Sequence, residues 1–309
     1  MFTREAIASA NATLKTMDIK SKSYVPVSEK VKALRLISPK ASISTEIIQE
    51  NETGLLLRAI VADEDCNIIA TGHAYEEKNS SQINQANMLE NCETSAIGRA
   101  LENIGIGLPV KTKGSTLAEV NSAIKTIDIK GKAYPEVSER IAAFRTLYPA
   151  GRIETNVTGI DGDKVTFIAY VYDEEGNILA SGRASELKTK NGINALNHIE
   201  NCETSAIGRA LSFAGFGITV SLASAEEMRY AELMFVPATE EQLEQIKACE
   251  AKSPENVVNA IWNNYCPSRQ DLDSFNAGKM LQTYDNYFEQ EKAKRNANDT
   301  LMSAANNYK

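Results

Sequence analysis

The sequence predicts an α+β protein built from two tandem α-β-β-β-α domains, each with a helix packed on a three-stranded antiparallel sheet, and a C-terminal helical module. Three observations carry this. Sliding the chain on itself by 110 positions aligns residues 15–110 with 125–220 without a gap, and about 44 of the 96 aligned positions are identical. Inside that alignment, the run Glu-Asn-Cys-Glu-Thr-Ser-Ala-Ile-Gly-Arg-Ala-Leu stands at 90–101 and again at 200–211. Each copy also reads as a helical apolar period, three runs rich in Ile, Val, Thr and aromatics, and a second helical period. Two copies of this length describe a duplicated domain rather than a solenoid. The expected boundaries are 1–112 and 113–236 for the two repeats, 237–292 for the helical module, and 293–309 for a disordered Asn- and Lys-rich tail.

The first helix of each repeat is expected after Ser28 or Ser138 as N-cap. Its stripe is Val31, Leu34 and Ile37, matched by Ile141, Phe144 and Leu147, and it stops at Pro39 or Pro149. Strands follow at 42–49, 55–62 and 68–75, and at 152–159, 165–172 and 178–185, as an antiparallel meander. The polar turns Asp63-Glu64-Asp65-Cys66-Asn67 and Asp173-Glu174-Glu175-Gly176-Asn177 join the second strand to the third. The repeated helix then spans roughly 84–103 and 194–213, with Leu89, Ala96, Ile97, Ala100 and Leu101 toward the sheet and Gly98 and Gly208 permitting close approach. Glycines at 105, 107, 215 and 217 terminate it. Beyond it, Ser224 opens a short helix to Met234, Thr239 and Gln242 form a capping box, and Ser253-Pro254 and Asp273-Ser274 start two more helices.

Composition narrows the function classes. The chain has 33 Lys and Arg against 41 Asp and Glu, a formal charge of −8, with the acid concentrated at the C-terminal end. That argues against coating duplex DNA by bulk positive charge. No apolar run spans a bilayer and no secretory leader is evident, so a cytoplasmic protein without membrane contact is expected. The five cysteines form no Cys-x-x-Cys pair and read as small buried hydrophobes, and two histidines do not complete a zinc set. No nucleophile triad, phosphate loop or dinucleotide fingerprint is present. The chain is therefore expected to be no enzyme and to need no cofactor.

Basic residues kept in both copies are Lys15, Lys20, Lys22, Lys30, Arg35 and Arg99, answered by Lys125, Lys130, Lys132, Arg140, Arg145 and Arg209. Tyr24 and Tyr134 stand beside the lysine pairs. Cations next to an aromatic that can stack on bases suit a groove for a single strand, while a solvated basic strand with a core tyrosine fits equally well. Arg99 and Arg209 either face a ligand phosphate or cap helix carbonyls. Glu90, Glu93, Glu200 and Glu203 have no secure role, an ion pair at the sheet edge being one option.

The run from Tyr134 to Arg145, the strand ending Gly-Asn-Ile-Leu-Ala-Ser-Gly-Arg-Ala, and the segment from Ile199 through Gly-Phe-Gly-Ile resemble phage single-strand annealing and single-stranded-DNA-binding proteins of the Sak/ERF-type recombination mediator superfamily. The resemblance implies a β-β-β-α core and ATP-independent binding and annealing of single-stranded DNA in phage recombination or replication. It implies a groove lined by Arg209, Phe213, Arg99, Arg140 and Lys30, and a homo-oligomer in which each chain fills two positions. The acidic C-terminal part would dock phage or host recombination or replication proteins. A non-enzymatic adaptor or small-ligand binder on the same fold is the alternative, and a metal-dependent nuclease using Glu90 and Glu93 the third.

Overall fold

The computed structural model describes residues 2–19, 22–78, 80, 82–129, 131–189, 194–218, 223–228, 237–269 and 272–306. The chain divides into two compact units, Met1–Ala231 and Glu232–Lys309.

The first unit holds both repeats, and they run in parallel. Repeat one is α1 (Arg4–Asn11), β1 (Met17–Ile19), β2 (Lys22–Tyr24), α2 (Val27–Ile37), β3 (Ser42–Glu50), β4 (Gly54–Ala62), β5 (Ile68–Glu77) and α3 (Gln82–Asn103). Repeat two is α4 (Leu117–Ser122), β6 (Thr126–Ile129), β7 (Lys132–Pro135), α5 (Val137–Leu147), β8 (Arg152–Asp161), β9 (Lys164–Tyr172), β10 (Ile178–Leu187) and α6 (Asn194–Phe213). The α-β-β-β-α order in each copy is the expected one. Two features were not anticipated. Each lysine-bearing segment folds back as an antiparallel hairpin, β1 on β2 and β6 on β7, and a short helix precedes each hairpin. Helices α2 and α5 start one residue before Ser28 and Ser138. Pro26 and Glu136 occupy the N-cap positions, and neither makes a side-chain cap.

The two meanders fuse. Each is antiparallel within itself, but β5 pairs in parallel with β8 through Ala70 and Ile153, giving one six-stranded sheet ordered β10-β9-β8-β5-β4-β3. The repeats are joined third strand to first strand, so the sheet ends in a first strand, β3, and a third strand, β10.

Helix α3 packs on β4 and β5, and α6 on β9 and β10. Ala96, Ala100 and Leu101, with Ala206, Ala210 and Leu211, are fully buried there. The close approach is made from the strand side: a Cβ on Gly72 or Gly182 would run into the backbone amide of Ala100 or Ala210. Gly98 and Gly208, expected to serve this purpose, face Val27 of α2 and Val137 of α5 instead. Leu89, expected against the sheet, is exposed. Its neighbours Met88 and Cys92 take the core-facing places instead, and both long helices are broken at equivalent positions, Asn87 and Asn197.

The second unit contains α7 (Glu240–Glu250), α8 (Glu255–Tyr265) and α9 (Ser274–Asn306), around Ile246, Ile261, Met280 and Tyr284. Thr239 and Gln242 make the expected capping box. Helix α9 continues through residues 293–306, the stretch expected to be a disordered tail. Of the helix expected from Ser224, residues 225–228 are helical and 229–234 lie outside the described residues. Among the described residues no helix is long and apolar enough to cross a membrane. Cys92 and Cys202 are buried and bond to strand carbonyls, and burial pushes both thiols up to about 12. Cys66 departs from the expected burial, because it occupies an exposed turn.

Candidate nucleic-acid interface

Where the repeats meet, identical sequences do different things. The β5 residues Ala70, Gly72 and Ala74 alternate with Thr71, His73 and Tyr75, and since Gly72 faces α3, the second set faces away from it. That second set meets α6 and β8. Glu203 accepts from the His73 amide (3.1 Å) and the Thr155 hydroxyl (2.7 Å), and its Oε1 lies 2.8 Å from His73 Nδ1. Arg99 Nε donates to Glu203 (2.9 Å), and its Nη2 donates to the Glu200 carbonyl and the Thr204 hydroxyl, both at 3.0 Å. The Tyr75 amide donates to the Glu200 carboxylate at 2.7 Å. Glu203 is completely buried. Burial alone would raise its carboxyl, yet Arg99, His73 and Thr155 reverse that and hold it at about 2. Glu200 moves the other way, because burial outweighs Arg99 and raises it.

Arg145 belongs to the same junction. Its guanidinium is wholly buried and donates to Asn103 O (2.8 Å) and Ile69 O (3.1 Å) of repeat one and to Pro149 O and Gly151 O of its own repeat. With carbonyls and no carboxylate in contact, burial pulls its pKa down to about 9. Lys30 is buried and paired with Glu102. Arg140 is buried and donates to Gly208 O (2.8 Å) and Ala223 O (3.1 Å). Arg35 sits on the surface, its Nη1 on Pro39 O and Ala41 O.

These placements correct much of the proposed groove. Lys30, Arg99, Arg140 and Arg145 are committed to partners inside the fold, so a phosphate would have to displace carboxylates or carbonyls to reach them. Tyr134 is also withdrawn: it is 7% exposed and packed with Ile129 and Ala225, whereas Tyr24 is 43% exposed. Arg209 is partly open, at 3.4 Å from Glu227 and over the Phe213 ring at 5.7 Å. Lys132 is exposed on β7 and Lys22 lies on β2, while Lys20 and Lys130 fall outside the described residues. Among the described side chains, the open cationic and aromatic positions of the predicted set are thus Tyr24, Arg35, Lys132 and Arg209. Among the described residues no cluster of three or more His, Cys, Asp or Glu could hold a metal ion.

Sequence reasoning missed Arg183. It is exposed on β10 and occupies the position of His73 in the other repeat. The signal was available as a His-to-Arg difference within an otherwise similar strand.

With this geometry in view, comparison with known families is decisive on one point. Both repeats match the Slr1353 N-terminal dsRNA-binding domain-like family. The matched residues are 31–104 and 141–214, running from within α2 or α5, through the three strands, to the end of α3 or α6. This overturns the resemblance to Sak/ERF-type annealing proteins, and the phage recombination role that rested on it falls with it. The duplication stands. The hairpins lie outside both matched segments. No curated protein and no solved structure matched the chain.

Proposed function

We propose that this chain is a non-enzymatic nucleic-acid-binding protein whose contact surface is built on the β1–β2 and β6–β7 hairpins. One observation carries the reading. Two domains, each matching a family named for a double-stranded-RNA-binding-like domain, are each preceded by an antiparallel hairpin, with Lys22 on the first and an exposed Lys132 on the second. Lysines on a hairpin can follow a phosphate backbone without supplying base readout, which suits recognition by charge and shape. The net charge of −8 favours local contacts of this kind over a diffuse basic surface. The His73–Glu203 pair is sealed from solvent, which suits a structural role better than turnover.

Duplex RNA is the first ligand to test. A single strand is the second reading, favoured by the exposed Tyr24 beside Lys22, an aromatic on which a base can stack. Fluorescence anisotropy with labelled duplex RNA, single-stranded RNA and single-stranded DNA at low salt decides between them. Binding should fall as salt rises. Lys22→Glu with Lys132→Glu should weaken it at least about tenfold and flatten the salt dependence, as expected on removing phosphate contacts. Tyr24→Ala should weaken single-strand binding and leave duplex binding intact. Absence of binding to all three at low salt, or unchanged binding by the double variant, would refute the hairpin surface.

A further inference from the structure

The internal junction is a template that the chain can use twice. It joins the third strand and second helix of repeat one to the first strand and second helix of repeat two, and the sheet ends in the complementary halves of the same junction. One half is the outer face of β10 with the end of α6, and the other is β3 with α3. Because the contact joins unlike surfaces, it repeats head to tail and is not satisfied by a two-fold pair.

The residues at the open halves correspond to those at the closed junction, 110 positions apart. On the donor side, Thr71, His73 and Arg99 become Ser181, Arg183 and Arg209. Ser181 and Arg183 are exposed, and Gly182 faces α6, so they point away from it as His73 points away from α3. On the acceptor side, Thr155, Glu200 and Glu203 become Thr45, Glu90 and Glu93. Glu90 and Glu93 are exposed, and Thr45 donates to Glu93 at 2.7 Å, as Thr155 donates to Glu203 at 2.7 Å. The acceptor is therefore set in place but lacks the arginine that Glu203 has. The donor side carries two, Arg183, which is exposed, and Arg209, which is partly open and holds a 3.4 Å pair with Glu227 and the Phe213 ring. The replacement of His73 by Arg183 strengthens this complementarity.

Apolar exposure follows the same rule. Leu89 is 50% exposed, while its counterpart at the closed junction, Ile199, is 4% exposed. Phe213 is 50% exposed, and its counterpart Asn103 is 5% exposed under Arg145. Arg35 keeps only the two carbonyl contacts that Arg145 makes within its own repeat. The two further contacts that Arg145 makes across the junction correspond to Phe213 O and Leu179 O of another copy.

We infer that the occupant of these surfaces is a second copy of this chain, docking its β3 and α3 onto β10 and α6 in the geometry of the internal junction. Glu93 of one copy takes Arg183 and Arg209 of the next, and Ala180 pairs with Ile43 as Ala70 pairs with Ile153. Successive copies then extend the sheet, closing into a ring if the rotation permits and growing into a filament if it does not. The same contact covers two edge strands that would otherwise invite unspecific pairing.

Light scattering after size exclusion tests the association, against the 33.8 kDa chain. The wild-type chain should show concentration-dependent species above one chain. Glu93→Arg should return it to a single 33.8 kDa species with unchanged circular dichroism. Adding Arg183→Glu and Arg209→Glu to that variant should restore association, since both halves are then reversed. Register is tested separately in a Cys66→Ser background. Thr71 and Thr155 hydroxyls lie 2.8 Å apart at the closed junction, so Ser181→Cys with Thr45→Cys should cross-link chains into a disulfide ladder on oxidation. A wild-type chain that stays monomeric at every concentration overturns the inference. So does association that survives Glu93→Arg, or one that yields no ladder.

Discussion

Residues 90–101 and 200–211 are the same twelve residues on the same kind of helix, and they perform different work. In the second copy, Glu203 is buried beneath an arginine, a histidine and a threonine. In the first, Glu93 keeps the threonine and faces solvent. The arginines reverse the order: Arg99 of the first copy is drawn into the junction, and Arg209 of the second remains partly open. A side chain's role here is set by which half of a junction its repeat supplies, not by the residues around it in sequence.

The largest effects should come from removing the buried carboxylate. Glu203→Gln leaves Arg99 and His73 facing a neutral amide in a dry site, and breaking a buried pair costs about 3–5 kcal/mol. Glu93→Gln should change stability by less than about 0.5 kcal/mol, the usual range for a surface change. Urea midpoints, taken at a chain concentration low enough to leave the open halves unpaired, report the difference. Acid titration gives a second measure. Glu203 sits at about 2 in the folded chain against 4.5 for a free glutamate, so the unfolded chain takes up the proton first as pH falls. Its stabilisation is complete above pH 4.5 and is lost as pH falls toward 2, a span worth about 3 kcal/mol. Glu200, raised by burial, works in the opposite sense at higher pH. Glu203→Gln should shrink the acid limb by that amount and Glu93→Gln should keep it. Equal midpoints or equal limbs would erase the distinction between the copies.

A second pair sharpens the comparison. Arg145→Ala removes donors from two carbonyls of repeat one and two of repeat two, leaving buried acceptors unmet, which costs about 3 kcal/mol. Arg35→Ala removes one solvent-side anchor and should cost less than about 1 kcal/mol. Because Arg145 bridges the repeats, its loss should also separate their unfolding, visible as two transitions in hydrogen exchange of β5 and β8. A single transition with a small shift would place the strength of the junction elsewhere.

How much of this was legible in sequence follows from where each feature is encoded. The strands and long helices were, because apolar period and turn residues are local: 194–213 matches α6 end to end, and both Asp-rich turns fall where expected. Single-strand periodicity could not reveal that two meanders fuse through Ala70 and Ile153, since an edge strand and a central strand share one alternation. For the same reason Arg35 and Arg145 looked equivalent, as did Glu93 and Glu203. Burial of a long polar side chain is decided by what the next domain places on it. The hint lay in the positions that differ between copies, such as His73 against Arg183 and Asn103 against Phe213, rather than in those that agree.

The smallest expected effect tests the repeats where they share a shape but not a residue. The turns after β4 and β9 both place their fourth residue in the left-handed region, Cys66 at φ +66° and Gly176 at φ +84°. For a residue with a Cβ, that conformation costs about 1 kcal/mol, because the Cβ crowds the following carbonyl, whereas glycine takes it freely. Both turns are held by the same aspartate, which accepts from the asparagine amide at 2.8 Å in each, so the frame is fixed and only the strain differs. Cys66→Gly should therefore raise the stability of the chain by about 1 kcal/mol, less the added freedom of glycine in the unfolded state. Gly176→Ala should lower it by a similar amount. Opposite signs in the urea midpoints would show that the turn geometry is common to both copies, and a loss in both would mean that the Cys66 side chain makes a contribution of its own.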